Sequence, residues 1–237
     1  MSERFFRALA KQAAARYPAR DRMARHFAYG KLTRDPVFHN LLARGRLPAN
    51  ARVLDLGCGQ GVLGSLLEAA RAAHRLGDWP KEWAAAPNPR RIRGIDLMQK
   101  DVERARASIP EGEWVCGDIR TTEFGPADVV VILDVLHYID YDAQREVLGR
   151  VRDSLDRRGV LILRVGDEST SLRFRITHAV DLAVMRLRGH RISRLYCRPV
   201  ARWRSELAEL GFSVEEVPMS AGTPFANVLL VARHAAG

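Results

Sequence analysis

The stretch RVLDLGCGQGVLG, Arg52 to Gly64, decides how this chain folds and what it is built to hold. An apolar run leads to Asp55, and four glycines follow within the eight residues Gly57 to Gly64. A strand that ends in a glycine-rich turn and opens a helix is the start of a βαβ unit. Two patterns fit the same residues. Gly59, Gly61 and Gly64 form G-x-G-x-x-G, which suggests a dinucleotide such as NAD. Asp55, Gly57, Gly59 and Gly61 form D-x-G-x-G-x-G, which does not require a phosphate.

The chain around this stretch alternates. RVLDLG (52–57) reads as a buried strand and 62–76 as a helix. RIRGID (91–96) and LMQKDVERARASI (97–109) repeat the unit. EWVCGD (113–118) is a third strand, and DVVVILD (128–134), the most hydrophobic, is a central fourth. A helix over 143–156 and a fifth strand over 159–167 follow. Strands alternating with helices imply a parallel sheet covered on both faces. The end breaks the pattern: a helix over 200–212, then FSVEEV (212–217) and ANVLLVARH (226–234). Their short connection has no room for a crossover helix, which predicts an antiparallel pair.

Three segments lie outside the alternation. Residues 1–50 read as an N-terminal helical lid or cap, with a weak likeness to a transit peptide or interfacial helix. Residues 77–90 are a Pro/Trp-rich insertion, and 168–199 a second insertion. Within the latter, 176–189 has the spacing of a lid helix. The rest, 51–237, is read as one domain carrying those insertions.

At 237 residues the chain can bury a substantial core. Thirty-eight Lys and Arg against 28 Asp and Glu leave a formal net charge of +10, which favours an acidic partner. The arginines are scattered, and no run of five or six consecutive basic residues occurs. Cys58, Cys116 and Cys197 are far apart, so neither a zinc site nor a disulfide framework is expected. That usage points to a reduced, cytoplasmic setting. No apolar run approaches the length of about 20 residues that spans a bilayer; peripheral membrane contact is compatible with the composition.

Asp55 discriminates between the two glycine patterns. A dinucleotide places its pyrophosphate over the helix N-terminus, where a carboxylate just ahead of the turn repels it. S-adenosylmethionine (SAM) carries no phosphate; its sulfonium and ammonium groups are cations that a carboxylate stabilises. Asp96 closes the second strand, where an acidic residue for a ribose belongs, and the 77–90 insertion explains its long spacing. Asp78 is nearer in spacing but lies in a loop. Asp96 and Asp118 could instead be helix caps or turn residues.

These residues together resemble the class I SAM-dependent methyltransferases. VLDLGCGQG is similar to their first motif, GIDLM to the second, CGDIR (116–120) to the third and ADVVVILDVLHYID (127–140) to the fourth. The resemblance covers about 50–165 and 200–234. It implies a Rossmann-like α/β fold: a mostly parallel seven-stranded sheet with an antiparallel last strand and helices on both faces. It implies that Asp55, Gly57, Cys58, Gly59 and Gly61 contact the methionine moiety and that Asp96 takes the ribose hydroxyls. Leu97 would flank the adenine, Asp118 would bind its amino group with Ile119 beside it, and Asp134 would lie at the lip of the pocket.

Methyl transfer is an in-line displacement, so positioning carries much of the rate. A phenol or acid acceptor also benefits from a base. His137 is the candidate, with Tyr138 orienting substrate or cofactor; packing of His137 in the turn is the alternative. Acceptor candidates are Tyr29, near His26 and Phe27, then Arg164 and, from the second insertion, Arg173, His178 and Tyr196. Asp167, Arg175, His190 and Arg198 lie in the same regions. No metal site is expected.

No N-P-P-Y-type sequence follows the fourth strand, no Pro-Cys pair of the cytosine type occurs, and aromatics are only 7%. A small acceptor, phenolic, aromatic or polyketide-like, is therefore favoured over nucleic acid. LDVLHYIDY, LRFR, RGHRISRLYCRP and PMSAGTPFANVLLVARH further resemble bacterial methyltransferases of aryl-polyene and fatty-acid-like pigment pathways. That likeness implies an acceptor tethered to an acidic acyl carrier protein, with O- and C-methylation both open. The competing readings are an RNA methyltransferase using the basic surface, a non-catalytic SAM-binding protein and an NAD-dependent oxidoreductase.

Overall fold

The computed structural model describes residues 2–166, 195–220 and 227–235. Seven strands share one sheet in the order β3-β2-β1-β4-β5-β7-β6. They are β1 (Arg52–Leu56), β2 (Arg91–Asp96), β3 (Glu113–Cys116), β4 (Ala127–Leu133), β5 (Leu155–Gly166), β6 (Phe212–Pro218) and β7 (Asn227–His234). β1, β2 and β3 pair in parallel, while β7 runs antiparallel to both β5 and β6. The expected Rossmann-like α/β sheet with an antiparallel last strand is therefore present. The chain divides into two compact units, Met1–Glu123 with Ala127–Val129, and Phe124–Pro126 with Val130–Gly237.

In the first unit, α1 (Ser2–Ala15) buries Phe6, Leu9, Ala10 and Ala13, one stripe at helical spacing, and exposes Arg4, Arg7 and Lys11. α2 (Arg22–Arg34) begins at Asp21, whose side chain accepts from the amide of Ala24 at 3.0 Å. Asp35 ends α2 and caps α3 (Pro36–Ala43), where the proline forces the break. The region 1–50 thus holds three helices. The Pro/Trp insertion folds back on them: Trp83 is buried, its indole N–H donates to the Ser2 hydroxyl at 2.9 Å, and its ring packs edge-on to Phe5 and His39. α4 (Val62–Arg75) follows β1, and α5 (Gln99–Ser108) follows β2.

In the second unit, a 3-10 turn at Leu136–Tyr138 leads into α6 (Tyr141–Ser154), capped by Asp140. α7 (Val200–Glu209) precedes the β6–β7 pair. The expected helix over 143–156 stops at Ser154, and β5 starts at once at Leu155, earlier than the apolar run predicts. The three residues after Leu155 are exposed, so hydrophobicity carries no trace of them. Residues 129–132 of β4 are fully buried, as its apolar run implied. Among the described residues, no helix is long and apolar enough to cross a membrane.

Candidate functional site

The opening glycines have distinct jobs. Gly61 adopts φ +77°, and a Cβ there would lie 2.9 Å from that of Ala105, so both backbone and packing demand glycine. Gly64 is needed for packing alone: a Cβ would meet Ile109 at 2.7 Å and Trp114 at 3.0 Å. A Cβ at Gly59 would meet nothing within 4 Å. The turn is therefore packed against α5 and β3 at Gly61 and Gly64 and open at Gly59.

Hydrogen bonds fix that turn beside Asp96. The amides of Gly57 and Cys58 donate to the Ile95 carbonyl at 2.8 and 3.2 Å. The Gly59 amide donates to Asp96 Oδ2 at 2.8 Å, and the Met98 amide to Asp96 Oδ1 at 2.9 Å. Asp96 thus does serve as a turn residue, both its carboxylate oxygens accepting backbone amides. Asp55, the middle of buried β1, is only 5% exposed. Burial, and then the charge of Asp96, push its carboxyl up to about 7. Burial also pushes the Cys58 thiol well up, so that side chain stays protonated and fills space.

Two further predicted residues lie along the same strand ends. Leu97, next to Asp96, is 57% exposed, a large apolar surface left open to solvent. The Gly117 amide donates to the Asp96 carbonyl at 3.0 Å, which brings Asp118 and buried Ile119 to the same end of the sheet. The Asp118 carboxylate is held by the Arg120 guanidinium at 2.5 to 3.0 Å, and this partner holds its pKa below the usual carboxylate range.

The second unit gathers another set. Asp134, after β4, has φ +60°, rarely populated by a residue with a side chain. Its carboxylate pairs with Arg164, through Arg164 Nε at 2.7 Å and also through Nη2. Arg164 is 2% exposed, so it is committed to Asp134 and is not an open anion site. This departs from its expected role toward an acceptor; an arginine in the last third of a buried strand is held by pairing, since an unpaired buried charge is costly.

His137 is buried in the 3-10 turn, its ring 4.1 Å from that of Tyr138. Its carbonyl accepts from the Tyr196 amide at 2.8 Å, so the structure joins His137, Tyr138 and Tyr196. The piece that joins them, Gln144, is a residue the sequence reading missed. Its fully buried amide donates to the carbonyls of Leu136, Ile139 and Tyr196, at 3.0, 3.1 and 2.8 Å. Its oxygen accepts from Arg198 Nε at 2.8 Å, and Arg198 in turn binds Glu206 at 2.9 Å. Arg198 is therefore a buried structural residue. Tyr29 sits on the exposed face of α2 with His26 and Phe27. Arg173, His178, Asp167, Arg175, His190 and the helix expected over 176–189 lie outside the described residues. No group of three or more potential metal ligands occurs among the described residues.

Comparison with known proteins follows these features. A family model described as a methyltransferase domain matches residues 24–217. The carboxy-S-adenosyl-L-methionine synthase of Chromohalobacter salexigens is 31% identical over 129 residues, 52% of this chain and 43% of that protein. The chain matches about half the length of such curated relatives. Among solved structures, magnesium protoporphyrin IX methyltransferase from Synechocystis, with bound SAH, superposes with a TM-score of 0.59 at 21% identity, covering 89% of this chain and 87% of that one. Mitomycin 7-O-methyltransferase gives a TM-score of 0.58 at 20% identity, covering 91% of this chain and 58% of that one. At these identities the likeness speaks to the fold.

Proposed function

We propose that this chain, which belongs to the methyltransferase-domain family, is a SAM-dependent methyltransferase acting on a small acceptor. One observation carries the reading: buried Asp55 lies beside Asp96, two carboxyls at one glycine turn with an open face. A dinucleotide pyrophosphate would add negative charge there. A ligand with an ammonium and a sulfonium brings positive charge to the two carboxyls. The residues fit the cofactor in other respects. Asp96 closes β2, where a carboxylate for ribose hydroxyls belongs, and Leu97 offers an exposed apolar face to an adenine ring. Asp118 reaches the same end of the sheet but is partly occupied by Arg120, which makes the backbone around Ile119 the better adenine contact.

When bound, SAM supplies a methyl group on a positively charged sulfur. Asp55 binds the cationic amino-acid end, and the glycine turn lets the backbone close on it. His137 would accept the proton of an acceptor hydroxyl, and Tyr138 would orient that acceptor. Gln144 holds the His137 turn in one conformation through three carbonyls. Asp134, held by Arg164, keeps the strand end that leads into that turn in its strained shape.

The acceptor we infer is aromatic or phenolic, as the resemblance to pigment-pathway enzymes implies, and carried by an acidic acyl carrier protein that the positive net charge would attract. Porphyrin and mitomycin methyltransferases share the fold, which accords with small acceptors. The test is incubation with methyl-labelled SAM and an extract of the host, separated into RNA, protein and organic-soluble fractions. Label in the organic fraction, or on a small acidic protein and released by thioester cleavage, supports the reading. Label in ribonuclease-sensitive material overturns it.

A further inference from the structure

The cofactor turn is held from two sides. Gly57, Cys58 and Gly59 are tied to the end of β2, as described above. Gln60 is tied elsewhere, to residues some forty positions upstream. Its carbonyl accepts from the Tyr17 hydroxyl at 2.9 Å, and its side-chain amide donates to the Ala24 carbonyl at 2.8 Å. Both groups are buried: Gln60 is 4% exposed and Tyr17 fully enclosed. Tyr17 and Ala24 flank the corner between α1 and α2, and that corner is itself locked. Arg25 Nε donates to the Tyr17 carbonyl at 2.8 Å, and Arg25 Nη2 to the Ala15 carbonyl at 3.1 Å. Arg104 of α5 binds Asp21, the cap of α2, at 2.8 Å.

We propose that Gln60 is a positioning residue for the cofactor, and that the α1–α2 corner, through Tyr17 and Ala24, is a working part of the cofactor cradle. Gln60 itself lies between Gly59, which is open, and Gly61, which is packed. Rotation of the peptide that joins Gln60 to Gly61 would reorient the Gln60 carbonyl and the Gly61 amide together, and that amide donates to the Cys58 carbonyl at 2.9 Å within the turn. A flexible glycine turn has little intrinsic preference for one shape, so the two bonds to the corner select it before ligand arrives. Pre-organisation of this kind appears as affinity. Tyr17 lies ahead of residues 24–217, the stretch that matches the family, and Ala24 is its first residue.

The inference rests on the reading of the turn as a SAM site. SAH is the probe, measured by calorimetry on the full chain carrying Tyr17→Phe or Gln60→Leu. Tyr17→Phe removes one hydroxyl and keeps the ring. We expect it to raise the SAH Kd three- to tenfold, the worth of one buried hydrogen bond. Amide hydrogen exchange on the ligand-free protein supplies the second readout. Exchange at Gly59 and Gly61 should accelerate at least tenfold, with Val130 and Val131 of β4 unchanged. Unchanged Kd overturns the inference, even with faster turn exchange, because the latch would then shape the turn without serving the ligand. Acceleration spread equally into β4 also overturns it, since the bond would then be a general stabiliser. A wild-type protein that fails to bind SAH defeats the underlying reading, and the inference with it. Wild-type binding with unchanged variants defeats the inference alone.

Discussion

Asp55 and Asp96 share the end of a glycine turn, and burial makes the charge on Asp55 costly. Its carboxyl is raised from about 4 to about 7, so the folded chain holds a proton that the unfolded chain has released. Its contribution to stability is therefore full below pH 4 and is lost as pH rises through 7. The shift corresponds to a loss on the order of 4 kcal/mol at pH 8. Asp55→Asn should stabilise the ligand-free protein at pH 8 in urea unfolding, with the gain vanishing near pH 4. The same substitution should weaken SAM binding at least tenfold in calorimetry. His137 makes a separate prediction. His137→Gln should lower kcat about 100-fold, the low end for a lost general base, and leave the SAH Kd unchanged. Equal loss of affinity and rate would mean that His137 only packs the turn.

At the level of elements, the 3-10 turn and the start of the 195–198 segment depend on α6 through one side chain. Gln144→Leu removes one donor from each of three backbone carbonyls and one acceptor from Arg198 at once, although the Leu136 carbonyl keeps the Ile139 amide and Arg198 keeps Glu206. A loss of about 2–4 kcal/mol is expected in urea unfolding, because buried groups left unsatisfied bear the full desolvation cost. Gln144 was invisible in the sequence, since a polar residue on a helix reads as solvent-facing. Only the fold shows that Tyr196, 52 positions away, comes to meet it. Asp55, Asp96 and the glycine turn were legible because strand, carboxylate and turn are adjacent in the chain or close a strand. Arg164 was legible as unusual, but its partner Asp134, 30 residues away, was not. The early start of β5 escaped for a simpler reason: its first exposed residues carry no hydrophobic pattern.

Across the whole molecule, alternation of apolar runs and helical patterns revealed the sheet class, and the short final connection revealed the antiparallel pair. The Pro/Trp insertion gave no hint that Trp83 reaches back 81 residues to Ser2. The N-terminal 35 residues hold nine of the Lys and Arg against three Asp and Glu, so 9 − 3 = +6 of the +10 net charge lies there. A charge so placed invites an RNA reading, and salt separates the two. An enzyme that neutralises six or more phosphates loses about a thousandfold in affinity between 50 and 200 mM salt. Activity on a free small acceptor should change less than about threefold over that range, since screening acts on few charges. Activity on the organic-soluble fraction of the extract, freed of RNA and carrier protein and assayed at both concentrations, checks this.

The most direct test of the central claim is calorimetric titration of the wild-type protein with SAM and, separately, NADH, each at pH 6 and pH 8. Ionised Asp55 favours a cation, so SAM should bind about tenfold more tightly at pH 8 than at pH 6, and NADH should not bind. NADH binding, or SAM affinity that is flat or greater at pH 6, would contradict the assignment of the acidic glycine turn to a cationic cofactor.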